Sequence, residues 1–116
     1  MAPVISTNEL IKIMNLKEDY VLIDVREPEE LVNGMIPTAK NIPLEDFELI
    51  FGESPAELQR KYGLKLEKTT KIIFYCRTGH RSGIAANFAE KKGYRAYNYA
   101  GSVLEWSRID PKVKMY

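Results

Sequence analysis

The strongest constraint on this chain is an alternation of short apolar runs with helix-opening signals. Residues 20–23, Lys71–Tyr75 (KIIFY) and 96–99 are brief, rich in β-branched or aromatic side chains, and bounded by charges or glycine. Runs of that length and kind are strands buried on both faces rather than helices. Residues 39–42 form a weaker run of the same kind. Between them stand three Ser-x-x-Glu sequences, Ser6 with Glu9, Ser54 with Glu57 and Ser102 with Glu105. In this pattern the serine hydroxyl caps the N3 amide while the glutamate reaches back to the cap.

The first signal is followed by Leu10, Ile11, Ile13 and Met14 on one helical face, and Pro55 occupies the favoured first position of the second helix. Residues 82–92 read as a helix with Ile84, Ala85, Phe88 and Ala89 on its apolar face and Gly93 ending it. Residues 24–31, with Pro28, suggest a shorter helix after a strand. Strands and helices alternating at this spacing require right-handed crossovers. The expected fold is therefore α/β: a small three-layer domain with a mostly parallel sheet flanked by helices on both faces. One domain is expected over residues 1–116, with 52–70 an inserted polar excursion carrying the second capped helix.

Composition removes several functions. No stretch without a charged residue, 96–104 included, exceeds nine residues, far short of the ~20 that span a bilayer. One cysteine and one histidine leave no disulfide, no dithiol pair and no cysteine- or histidine-rich metal centre, so neither metal nor cofactor is expected. The amino-terminal residues lack the pattern of a secretory signal or an Arg-rich transit peptide, and none of the six asparagines lies in a glycosylation sequon. A reducing, cytoplasmic address follows, with mitochondria also compatible. The net charge of +1 argues against a nucleic-acid surface. No membrane partner is expected, and the chain is read as a monomer.

The chemistry concentrates in KIIFYCRTGHRSGIAANFAEKKG. Cys76 ends a buried strand, Arg77, Thr78, Gly79, His80 and Arg81 follow, and a helix then opens. At that edge of a parallel sheet, loop amides and a helix N-terminus can converge on an anion. Lowering a thiol from its ordinary pKa by about two units needs roughly 2.7 kcal/mol of preference for the thiolate, whereas a helix dipole supplies only ~0.3–1 kcal/mol. The loop amides and the guanidinium groups of Arg77 and Arg81 are expected to provide the rest. No acidic residue lies between Glu67 and Glu90, while Lys68, Lys71, Arg77 and Arg81 give a local charge of +4. Such a patch would attract a small anionic substrate. A free cysteine after an apolar run can also be a plain core residue, but Arg, His and Arg within five positions suit a site better.

Cys76-Arg77-Thr78-Gly79-His80-Arg81 resembles the active-site loop of the rhodanese sulfurtransferase family. The stretch from Leu22 to Glu30 (LIDVREPEE) is similar to that family's Asp-x-Arg segment, and Gly34 to Pro43 (GMIPTAKNIP) to its Gly-His-Ile-Pro-Gly-Ala-x-Asn-Ile-Pro segment, with Met35 for the common histidine and Thr38 for the common glycine. Asn98 to Ser102 followed by Trp106 resembles its late glycine turn and tryptophan, so the likeness covers residues 21–106. The excursion at 52–70 is similar to the small single-domain members that pass sulfur from thiosulfate to glutathione.

The resemblance implies a thiosulfate sulfurtransferase in which Cys76 takes sulfur from a small anionic donor and delivers it to glutathione, another thiol or cyanide. It implies substrate binding by Arg77, Thr78, Gly79, His80 and Arg81. Lacking a second cysteine, the chain must use an external acceptor. Arg81, at the mouth of the helix, is expected to turn back toward the sulfur. For Arg77 steering and a plain surface role stand equal, and His80 lines the loop or faces solvent. Asp24 and Arg26 are expected to form a buried structural pair. Tyr75 belongs to the core, Tyr99 and Trp106 line the mouth or pack, and Gly79 and Gly83 suit close backbone approach. Two other readings stay open. One is a cysteine phosphatase or arsenate reductase, whose Cys-x5-Arg ring is one residue longer than the ring from Cys76 to Arg81. The other is a non-catalytic binding module on the same fold.

Overall fold

The computed structural model describes residues 1–52 and 54–116. Strands β1 (Val4–Ile5), β2 (Tyr20–Asp24), β3 (Lys40–Asn41), β4 (Lys71–Tyr75) and β5 (Arg95–Tyr99) form one parallel sheet in the order β1-β5-β4-β2-β3. Around it lie α1 (Thr7–Asn15), α2 (Phe47–Phe51), α3 (Pro55–Tyr62), α4 (His80–Lys91) and α5 (Ser102–Trp106), with 3-10 turns at Pro28–Asn33 and Leu44–Asp46.

The alternation of side chains along β4 divides the core. Ile72, Phe74 and Cys76 join Phe47, Phe51 and Leu58 of α2 and α3 and the three alanines of α4 on one face. Ile73 and Tyr75 join Leu10 and Ile13 of α1 and Val103 and Trp106 of α5 on the other. Residues 72–75 of β4 have no exposed surface, and each such large apolar side chain contributes about 1.5–3 kcal/mol when buried. The α4 helix lies flush because its buried positions are Ser82, Ala85, Ala86 and Ala89, all small. This central position of β4 brings its carboxyl end, and Cys76 with it, to the middle of one sheet edge.

The three-layer α/β expectation is met, and the expected strands fall within a residue of those observed. β1 was not foreseen, since two residues show no periodicity. Its place is set by pairing, with Val4 opposite Asn98 on β5. Residues 24–31 were expected to carry a helix. Instead, a 3-10 turn occupies Pro28–Asn33, entered through a reciprocal box in which Glu27 and Glu30 satisfy each other. Of the serine signals, Ser6 with Glu9 makes the complete box. Ser54 makes half of it, because Glu57 turns to Arg60. Thr38, standing where the family has glycine, takes a left-handed φ of 74° and shares a hydrogen bond with the Tyr20 hydroxyl. The described part of the excursion at 52–70 sends Leu58, Leu64 and Leu66 into the α4-side core.

Candidate active site

The α4 helix opens at His80, two residues before the expected start. Gly79 makes this possible with a left-handed φ of 99°, and a Cβ there would run into the carbonyl oxygen of Ala100. The sharp turn folds the loop back over the sulfur. Gly79 N donates to Cys76 Sγ at 3.0 Å, Ser82 Oγ lies 3.5 Å from it, and Ser102 Oγ stands 4.0 Å away. The thiol is 1% exposed.

The loop is fastened from the far end of the chain. Val103 N donates to the Cys76 carbonyl at 3.1 Å and Leu104 N to the Arg77 carbonyl at 3.0 Å. Ser102 Oγ accepts from Cys76 N at 3.1 Å and donates to the Tyr99 carbonyl at 2.9 Å. Ser102 was expected to cap its helix with Glu105. It does not, because it sits in the left-handed region at φ 52° and its hydroxyl faces the cysteine. Glu105 accepts instead from the Thr7 hydroxyl. A buried, left-handed serine holds backbone strain at the site, offset by the hydrogen bonds it makes.

Burial pushes the Cys76 thiol up, but hydrogen bonds from the Ser82 hydroxyl and from the Ser82, Gly79 and Thr78 amides outweigh it, so the thiol lies below its ordinary range. Neutral donors therefore do most of the work that the sequence assigned partly to guanidinium groups. Arg81 is committed elsewhere, in a bidentate pair with Glu30 at 2.6 and 2.9 Å. Its hydrogen bonds hold the Glu30 carboxyl at about 2. Arg77 lies over the Tyr116 ring at 4.8 Å. Thr78 and His80 are exposed, while Gly79 and Arg81 are half-buried.

The expected +4 patch does not exist in space. Lys68 and Lys71 precede or begin β4, whereas Cys76 follows its end, about 16 Å further along a strand that rises ~3.3 Å per residue. Lys71 pairs there with Glu18, and Lys68 donates to the Lys92 carbonyl and covers the Tyr94 ring.

Asp24 and Arg26 form the expected buried pair. Arg26 Nη2 meets Asp24 Oδ2 at 2.7 Å, Nε meets Oδ1 at 3.0 Å, and Nη2 also donates to the Gly34 carbonyl at 2.8 Å. Tyr75 is core, with its hydroxyl accepting from Ile36 N at 3.1 Å. Tyr99 and Trp106 pack in the α1–α5 layer, their polar ends on Thr7 and Asp110. Gly83 is tight rather than strained, since a Cβ there would lie 3.3 Å from Asn98 Nδ2.

Sequence reasoning missed Ser82, Ser102 and Asn98 as neighbours of the sulfur. Ser82 Oγ donates to Asn98 Oδ1 at 2.7 Å and Asn98 Nδ2 to the Gly79 carbonyl at 3.3 Å. The available signal was a polar residue where a buried strand or an alanine-lined helix face calls for an apolar one.

These features define a class: α/β proteins that hold one buried thiol among neutral donors at the carboxyl edge of a parallel sheet. A model of the rhodanese-like domain matches residues 6–109, and the chain belongs to the rhodanese family. It is similar to a putative mitochondrial thiosulfate sulfurtransferase of Schizosaccharomyces pombe, 43% identical over 89 residues that cover 75% of this chain and 63% of that protein. It is also similar to the thiosulfate:glutathione sulfurtransferase of Homo sapiens, 36% identical over 108 residues covering 90% and 93% of the two chains. Among solved structures, the human single-domain sulfurtransferase TSTD1 superposes with a TM-score of 0.84 at 34% identity, over 95% of this chain and 99% of that one.

Proposed function

We propose that this rhodanese-family chain is a sulfurtransferase that moves the sulfane sulfur of thiosulfate, or of a related persulfide donor, through Cys76 to a small thiol such as glutathione, or to cyanide. The observation that carries the reading is one buried thiol held below its ordinary pKa by the Gly79 amide and the Ser82 donors, with no second cysteine in the chain.

In the first step Cys76 loses its proton to solvent and Sγ bonds to the outer sulfur of thiosulfate. The donor's S–S bond breaks and sulfite leaves with the electron pair. The persulfide rests against the amides of residues 77–81, which carry its charge. In the second step the acceptor thiolate bonds to that outer sulfur and the Sγ–S bond breaks, returning Cys76 as a thiolate and releasing the acceptor's persulfide. Arg77, at the rim, steers the anionic donor, and Arg81 receives it by sharing its guanidinium with Glu30. Thiosulfate:glutathione sulfurtransferase is the name of the human relative, which supports glutathione as acceptor. A monomer of the cytoplasm or of mitochondria is part of the same reading, the second address supported by the name of the Schizosaccharomyces pombe relative.

Incubation with thiosulfate tests the reading by intact mass and sulfite release. One sulfur atom added to the wild type and none to Cys76→Ser is expected. No addition to the wild type, or the same addition to the variant, overturns it. Hydrolysis of an aryl phosphate without sulfite release would put a phosphatase in its place.

A further inference from the structure

Ser82 Oγ lies between two acceptors and has one proton to give. On one side, at 2.7 Å, is Asn98 Oδ1; on the other, at 3.5 Å, is Cys76 Sγ. Ser82 has no exposed surface and Asn98 is 9% exposed, so solvent scarcely reaches this junction. The orientation of the Asn98 amide is determined by its other end. Nδ2 faces the Gly79 carbonyl at 3.3 Å, and turning the amide over would set two oxygens against each other there. Oδ1 therefore always points at Ser82. The ring closes through Gly79, whose amide donates to the same sulfur.

While Cys76 is a thiol, every bond in this chain is satisfied in one direction. S–H donates to Ser82, and Ser82 donates to Asn98. When the sulfur carries charge, its best available hydroxyl donor is Ser82, which must then rotate its proton off Asn98 and leave Oδ1 without a donor in a nearly dry place. We propose that Asn98 is a positioning residue that holds the Ser82 proton away from the resting sulfur and releases it only when charge develops on Sγ.

Under the sulfurtransferase reading, on which this rests, the two half-reactions ask opposite things of the same atom. Attack on the donor benefits from a sulfur whose basicity, and so nucleophilicity, is not pulled too low, whereas return of Cys76 to the thiolate benefits from a stabilised leaving group. An uncontested hydroxyl serves only the second step. Competition with Asn98 Oδ1 weakens the pull of the Ser82 hydroxyl on the thiolate without abolishing it, which leaves the attacking sulfur more basic while still stabilising the leaving one.

The charged and titratable groups around the sulfur are Arg77 and His80 in the loop and at the helix start, Arg81 with Glu30, and the Asp24–Arg26 pair at the end of β2. None of them is altered in the variants that test the proposal.

The experiment is the pH dependence of Cys76 alkylation by iodoacetamide, which needs no sulfur transfer, in the wild type, Asn98→Ala, Ser82→Ala and the double variant. Asn98→Ala is expected to lower the midpoint by about 0.5–1 pH unit, giving roughly three- to tenfold more thiolate well below it. Ser82→Ala is expected to raise the midpoint by about one unit, and the double variant to match Ser82→Ala, since Asn98 acts only through Ser82. Asn98→Asp provides the independent arm should the alanine variant not fold. Its carboxylate takes the proton more firmly, raising the midpoint when Ser82 is present by more than when it is combined with Ser82→Ala. An upward or absent shift in folded Asn98→Ala, or additive single and double shifts, overturns the proposal, as does an Asn98→Asp shift indifferent to Ser82. Expected alkylation shifts in a protein that takes no sulfur from thiosulfate would leave the proton switch standing and remove the sulfurtransferase reading.

Discussion

Two neighbouring strand ends solve the same problem in opposite ways. At the end of β2, Asp24 and Arg26 are both buried and face each other through three short hydrogen bonds, a charge matched permanently by its opposite. At the end of β4, Cys76 is as deeply buried but its hydrogen-bond partners among the described residues are amides and hydroxyls, while Arg81, in the first turn of α4, is hydrogen-bonded to Glu30 and acts on the sulfur only through its charge. A matched charge is architecture, because neither member can leave without stranding the other. A sulfur surrounded by neutral donors can gain and lose charge in place, and that leaves it free to react.

The largest effect that would break this contrast is at the sulfur. Cys76→Ser keeps the fold, because serine fills the same place, and reduces sulfite release to background. A residual rate above about a hundredth of the wild type, measured with thiosulfate and glutathione, would show that the reactive group lies elsewhere. Next comes the matched charge. Arg26→Met leaves Asp24 buried without a partner and is expected to destabilise the fold by about 3–5 kcal/mol, read from urea unfolding. A loss under about 1 kcal/mol would mean that the pair is not architectural.

Ser102 sharpens the comparison, because it joins backbone strain to a site hydrogen bond. Ser102→Ala removes the acceptor of the buried Cys76 amide and should cost about 1–3 kcal/mol. Ser102→Gly loses the same hydroxyl but relaxes the left-handed φ of 52°, so it should be more stable than the alanine variant by about 1 kcal/mol. Equal stabilities would remove the strain.

Smaller effects are expected at Glu30. Its carboxyl is depressed from 4.5 to about 2, so the stability it contributes is fully present above pH 4.5 and is lost as pH falls through about 2. Acid titration should show no loss of this pair above about pH 5. Glu30→Gln frees Arg81 and is expected to lower the KM for thiosulfate about two- to fivefold, equivalent to the ~0.5–1 kcal/mol of a partly exposed ion pair. A raised KM would mean that Glu30 holds Arg81 for the donor rather than from it. Tyr116→Ala, which only uncovers Arg77, should change kcat/KM by less than about threefold.

What the sequence disclosed, and what it hid, follow from the range of the interactions involved. Lys71–Tyr75 reads as a central strand because its apolar run is local, and Cys76 reads as its end for the same reason. The Asp24–Arg26 pair is equally local, two residues apart on one strand end. The roles of Ser82, Asn98 and Ser102 were hidden because each depends on a contact across 6, 16 or 26 positions. Ser102 was misread as a helix cap because the local pattern fits a cap, and only the tertiary contact with Cys76 decides otherwise. The basic segment misled by the converse route. Charges close in sequence are carried apart by an extended strand, so Lys68 and Lys71 lie at the wrong end of the sheet. Glu30, which claims Arg81, is 51 residues away from it, and nothing near Arg81 announces that partner.

The fastening of the Cys76 loop by residues 102–104 also sets an order of events in the cell. A chain emerging from the ribosome presents its thiol well before the amides of Val103 and Leu104 are available to hold the loop carbonyls. Until that last clasp is made, the Cys76 and Arg77 carbonyls lack the partners they have in the finished fold, so the shape of the loop depends on residues 27 positions further along the chain.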